Sequence, residues 1–358
     1  MKMSSLRKTR YALLEAYDDG YLSDYEFMLL YDANKSRDDY AYWSYERFDL
    51  DKMENAESWS RFRFYKRDIF RLAEVLQIPD TVQTYNRMLV DGVEALCIAL
   101  KRFSYPCRYV DMVPYFGRAV PDYSVITNEI MDHVYTTFSH LLDDFNVPFL
   151  ATNKLEEYCT AIHNKGAPLD NCFGFVDGTV RPICRPGRDQ RVVYDGHKKV
   201  HALKFQSIAL PNGLIANMYG PLEGRRHDCY MLAKSGLLPK LQQYAFDSNR
   251  RSLCIYGDPA YPLRVHLQSG FKNAINPNER EFNTRMSKVR VSVEWLFSDI
   301  SNWFAFIDFK KNLKINLSAV GKMYLFCTLL TNARTCTYGN MTSDYFDCEP
   351  PTLEEYFS

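Results

Sequence analysis

The chain has 358 residues, 46% of them hydrophobic and 25% charged, which suits a globular protein with a sizeable core and room for more than one small domain. Its net charge is zero, which counts against coating of nucleic acid by bulk electrostatics and leaves such a role to local patches. No apolar run reaches the roughly 18–20 residues of a spanning helix, and the opening MKMSSLRKTRYALLEAYDDGY lacks the apolar stretch of a secretory signal. An intracellular setting is expected. The ten cysteines include no C-x-x-C pair, so neither a zinc site nor a disulfide framework is expected.

Residues 1–60 hold eight Lys/Arg against thirteen Asp/Glu and read as an acidic, loosely ordered lead-in with a short helix near Tyr11–Tyr17. From Arg61 the pattern changes. Phe64, Ile69, Phe70, Leu72, Val75 and Leu76 recur at helical spacing, and Leu89–Phe103 reads as a second apolar helix. Residues 109–142 then give a short helix, a turn at Gly117 and a longer helix opened by Pro121-Asp122, an order that suits a helix-turn-helix as well as any packed helix pair. A helical domain over 61–168 follows from these segments.

From residue 170 the rhythm becomes that of strands. CFGFVDGT is an apolar run ending at Asp177-Gly178, and VHALKFQSIAL and GLIANMYGPL flank the turn Pro211-Asn212-Gly213 as a hairpin. A helix over HDCYMLAKSGLLPKLQQYAF, a buried strand SLCIYGD, a long helix at about Glu279–Trp303 and a last helix near Leu317–Ala333 complete an α/β domain with a mixed sheet over 169–336. Residues 337–358 remain as a C-terminal tail.

Asp177 and Asp258 each close an apolar strand, where a carboxylate is held rigidly at the sheet edge at which ligands of α/β sheets bind. Either one alone is also an ordinary turn residue. In helix 279–303, Phe282, Met286, Val289, Val293, Leu296, Ile300 and Trp303 form a core-facing stripe. Glu294 sits at its border beside Arg290, near enough to reach the strand ends if the stripe lies on the sheet. Three such carboxylates suit Mg²⁺ or Mn²⁺, which prefer oxygen ligands and can activate water or a 3′-hydroxyl against a phosphodiester.

Asp228, in Gly224-Arg225-Arg226-His227-Asp228, reads either as a helix N-cap or as an accessory metal ligand. Arg225, Arg226 and Arg290 could hold phosphates. Residues 171–205 hold seven Lys/Arg against three Asp. Of these, Arg181, Arg185, Arg188, Arg191, Lys198 and Lys199, with His197, follow Asp177 closely, where a DNA backbone would be gripped.

The ordered motifs VDGT, RRHD, GDPAYP and R-x-x-x-E over residues 171–335 resemble those of the PIF/Harbinger transposases and the nucleases derived from them. The FRF-x-K start and the FGR turn near residue 117 are similar to that family's helical N-terminal part. The resemblance implies an RNase H-like fold, a divalent-metal endonuclease or transposase, and Asp177, Asp258 and Glu294 as metal-binding catalytic residues, with Asp228 as the HD aspartate. It also implies DNA and a separate Myb-like DNA-binding protein as partners and a nuclear setting, and leaves self-association open. Ser298 departs from a frequent Gly, and no Lys lies seven residues after Glu294; neither departure removes a ligand. The alternative is a domesticated DNA-binding or chromatin-associated protein that keeps the fold without cutting.

Overall fold

The computed structural model describes residues 5–33 and 41–358; the remainder of the acidic lead-in, residues 1–4 and 34–40, lies outside the described residues. The lead-in contributes α1 (Ser5–Asp18), which contains the expected Tyr11–Tyr17 segment, and α2 (Asp24–Ala33). The helical half comprises α3 (Asn55–Phe62), α4 (Lys66–Val75), a small hairpin of β1 (Thr81–Gln83) and β2 (Leu89–Asp91), α5 (Gly92–Ser104), α6 (Val113–Phe116), α7 (Val120–Phe138) and α8 (Thr152–Asn164). The expected helix at Leu89 begins three residues later, because Leu89–Asp91 pairs with β1 and the Asp91 side chain then caps α5 by accepting from the Glu94 N–H.

Gly117 adopts φ +57 between α6 and α7, so the short-helix, turn, long-helix order is present. A side chain there would also collide with the Tyr45 and Glu46 carbonyls. α7 contains no Lys or Arg, and Tyr123, Ile126, Ile130, Met131 and Val134 bury its inner face.

The sheet half holds β3 (Cys172–Pro182), α9 (Gln190–Val193), β4 (Tyr194–Asp195), β5 (Val200–Ala209), β6 (Ile215–Glu223), α10 (Asp228–Lys234), α11 (Leu237–Tyr244), β7 (Cys254–Gly257) and β8 (Leu267–Ser269). Strands run in the order β4-β5-β3-β7-β8, with β6 also on β5. The β5–β6 hairpin forms about the Pro-Asn-Gly turn, with Gly213 at φ +81. β3 is the hinge of the topology: antiparallel to β5 on one side and parallel to β7 on the other. The helix expected over residues 227–246 is instead α10 and α11, because Gly236 takes a left-handed φ of +66 between them.

The long helix after residue 277 is divided into α12 (Pro277–Arg290) and α13 (Ser292–Trp303). At the junction the Ser292 hydroxyl donates to the Val289 carbonyl and the Glu294 N–H donates to Val291, three residues back, a local tightening of the ladder. The apolar stripe survives the break, with Met286, Val289, Val293, Leu296 and Ile300 buried.

α14 (Val320–Tyr338) follows. Residues 337–358 are not a free tail. They form α15 (Met341–Phe346) and α16 (Leu353–Phe357), bury Phe346, Leu353, Tyr356 and Phe357, and tie Tyr356 OH to the Asn332 amide. The two halves share one core: Phe103 packs on Phe306 and Phe326, and Trp59 on Trp303 and Tyr338. Among the described residues no helix is long and apolar enough to cross a membrane.

Candidate active site

β3 does not end at Asp177 as its Asp-Gly suggests; it runs five residues further, paired throughout with β5. What ends there is the parallel partner. Phe175 lies opposite Tyr256 and β7 stops at Gly257, so Asp177 and Asp258 fall level, two positions beyond that pair, where β3 leaves β7 behind. The two carboxylates repel. Burial raises the Asp177 pKa, Arg290 opposes the shift, and the Asp258 charge adds to it. The Asp258 carboxylate accepts from the Ala260 N–H at 3.0 Å, which fixes the turn that follows.

Gly178 explains why Asp-Gly here is not a turn. A Cβ at this position would lie 3.0 Å from Asp228 Oδ1 and 3.1 Å from Met231 Cε. The missing side chain is the space into which the Asp228 carboxylate fits. Asp228 is the first residue of α10, with His227 as the N-cap residue and no side-chain capping bond, so the capping reading is not supported. Burial raises the Asp228 pKa, Lys204 counters, and Asp258 adds to the rise. Asp258 therefore acts electrostatically on both other aspartates.

Tyr261 lies near the three aspartates and feels the charge of each. A Cβ on Gly257 would stand 2.7 Å from its ring, so the Gly-Asp-x-x-Tyr spacing lets the ring lie flat on the strand end. The Tyr261 hydroxyl is buried without a hydrogen-bond partner. Burial, with the charges of Asp228, Asp177 and Asp258, pushes it well above the usual phenol range.

Glu294 is exposed on the first turn of α13, one helical turn past Arg290. It is Arg290 that reaches the strand, with its Nη1 3.1 Å from Asp177 Oδ2 and both side chains about one-fifth exposed. Among the described residues no three His, Cys, Asp or Glu side chains are grouped closely enough to hold a metal ion. The donor chemistry nonetheless fits a hard cation: oxygen ligands, mutual repulsion and a buried hydroxyl lacking an acceptor.

The basic residues divide into two sets. Arg181 is turned inward, donating to Tyr324 OH at 3.0 Å and to the Phe297 carbonyl at 2.9 Å. Arg226 pairs with Glu223 and lies over the Tyr230 ring, and Arg185 donates to Gln190. Arg188, Arg191, His197, Lys198, Lys199 and Arg225 are exposed. Lys204 escaped the sequence reading because it occupies an unremarkable polar position in an alternating strand. It faces Val180 across β5 and β3 and acts on Asp228.

Residues 176–332 match the family model of the DDE superfamily endonucleases. The match begins one residue before Asp177 and takes in Asp228, Asp258, Arg290 and Glu294. The chain matches no curated protein and no solved structure. The matched segment thus covers every candidate acid, and its similarity to that family suggests nuclease or transposase activity.

Proposed function

We propose that the chain is a divalent-metal-dependent DNA endonuclease of the transposase kind, built on an RNase H-like sheet. The observation that carries this reading is the level placement of Asp177 and Asp258 where β7 ends, with the Asp258 charge raising the Asp177 pKa, inside the segment that matches the DDE endonuclease family model. The sheet supports the fold assignment, since the antiparallel run β6-β5-β3 continues into parallel β7 and β8.

Asp177 and Asp258 would hold Mg²⁺ or Mn²⁺, with Glu294 completing the set from α13 and Asp228 as an accessory acid. When bound, the metal supplies activation of water or a 3′-hydroxyl and stabilisation of the leaving oxygen of a phosphodiester. The chain's own residues do the remainder. Arg188, Arg191, Lys198, Lys199 and Arg225 grip DNA phosphates beside the acids, with Arg185 and Arg226 bordering them. Arg290 neutralises Asp177 in the free protein. The PIF/Harbinger subgroup, a nuclear setting, self-association and a Myb-like DNA-binding partner rest on the motif resemblance.

A second reading, a DNA-binding protein that no longer cuts, is favoured by the exposure of Glu294. Nicking of supercoiled plasmid with Mg²⁺ or Mn²⁺ separates the two. Metal-dependent nicking that is lost in Asp258→Ala and Glu294→Ala, with folding unchanged, supports the nuclease. Absence of nicking in the intact protein, even with candidate element ends and its partner, favours the binding protein.

A further inference from the structure

We propose that Lys204 is a positioning residue that holds two basic loops, 196–199 and 224–227, in one arrangement around Asp228; the inference rests on the nuclease reading for its purpose but not for its test. The Lys204 side chain is only 12% exposed, and its Nζ lies 2.8 Å from Asp195 Oδ2. The same Nζ donates to the Arg226 carbonyl at 2.8 Å. Each acceptor belongs to a different loop. Asp195, 2% exposed, closes β4, and its other oxygen accepts from the Lys198 N–H at 2.7 Å. Arg226 lies two residues before Asp228, in the stretch that leaves β6.

The second loop is also tied at its base to α9 and β5. The Arg225 N–H donates to the Val192 carbonyl, and a Cβ on Gly224 would stand 2.4 Å from the Val193 carbonyl and 2.8 Å from that of Ala202. The loop leaving β6 therefore starts from a fixed point and is fixed again, two residues on, by Lys204. The one N–H of Lys204 left over is too enclosed for Lys204 itself to be a main phosphate contact. It presents other cations instead: exposed Lys198 and Lys199 from one loop and exposed Arg225 from the other. Because Asp195 holds Lys204 and the Lys198 amide together, the cation and the acid act as one unit, and removing either frees both loops. Lys204 shares the sheet face of Gly178, against which Asp228 lies.

Hydrogen exchange on the full chain tests this without DNA. In Lys204→Met the amides of 197–199 and 225–227 should together exchange about tenfold faster, as expected for a lost charge-assisted bond. Asp195→Asn should reproduce the pattern, the double variant should add little, and Lys204→Arg should restore much of the protection. Acceleration in one loop only, or in neither, overturns the proposal, and Asp195→Asn decides alone if Lys204→Met fails to fold.

Anisotropy with a fluorescein-labelled random-sequence duplex supplies the second readout. Lys204→Met and Asp195→Asn should both weaken binding about tenfold and flatten its salt dependence by about two phosphate contacts. Loss in Lys204→Met with none in Asp195→Asn would mean that Lys204 grips DNA directly, and would overturn the positioning role. If the intact protein neither binds DNA nor nicks plasmid, the nuclease reading fails while the exchange result still decides Lys204.

Discussion

In the helical half, Glu94 of α5 receives both Nε and Nη2 of Arg118 at 2.6 Å, with each side chain a tenth exposed or less. At the end of the sheet, the Asp258 charge raises the pKa of Asp177 and of Asp228, all three raise that of Tyr261, and of the three aspartates only Asp177 has a cation within bonding distance. Both regions remove acids from water. The first supplies each acid with a matching donor, as a structural pair must, whereas the second keeps acids short of positive charge. Uncompensated charge held on a rigid frame is what a site for a cationic ligand requires, and it costs stability in the empty protein.

The strongest test of that contrast is to remove one of the repelling acids. Asp177→Asn and Asp258→Asn should each lower metal-dependent nicking on the order of a thousandfold. Denaturant unfolding at neutral pH should find the Asp177→Asn protein no less stable than the parent, since the raised Asp177 pKa means that its charged form is disfavoured by the fold. A clear loss of stability there would place Asp177 among the structural pairs. The opposite behaviour is expected at Glu94→Gln, which strands Arg118 and should cost about 3 kcal/mol by denaturant unfolding with little change in nicking per folded molecule. Glu94→Gln combined with Arg118→Met should recover much of that loss.

Asp299 gives a pH test remote from the strand ends. Burial, opposed by Arg334, raises its pKa from 3.8 to about 6. A raised folded pKa contributes stability that is present below the unfolded value and is lost as pH rises through the folded one. Stability should therefore fall between about pH 4 and pH 6.5. Asp299→Asn should flatten that window and add on the order of 1–2 kcal/mol at pH 7.5; an unchanged pH profile in melting experiments would remove Asp299 as its source. The smallest effect is expected at Gly178→Ala. The new methyl crowds Asp228 Oδ1 and Met231, so nicking should fall no more than about tenfold and stability by less than about 1 kcal/mol. A null effect would show that Asp228 can move without consequence.

The hairpin β5–β6 and the stripe along α12 and α13 were legible because alternation, a Pro-Asn-Gly turn and a 3–4 spacing each report a local rule. The continuation of β3 was not. Gly178 reads as a turn former, yet it is required by a carboxylate arriving from fifty residues downstream, which no local rule records. Arg181 looked like a surface cation because charge runs usually are, and its partners Phe297 and Tyr324 are remote in sequence. The three aspartates were legible as strand-end and loop acids. The influence of Asp258 on Asp177 and Asp228 is a property of β3 and β7 in parallel register and of the space left by Gly178. Lys204 was hidden for the same reason, since its two acceptors meet only once β4, β5 and the loop after β6 are folded together.

The unequal flanks of β3 have a mechanical meaning. Beyond Phe175 the strand is bonded to β5 on one edge, as far as Pro182, and freed from β7 on the other. Asp177 thus stands on a cantilever, clamped along one side and open along the other. A ligand can approach from the open edge while the ladder to β5 resists its pull, so force applied at the carboxylate passes into the sheet instead of bending the strand.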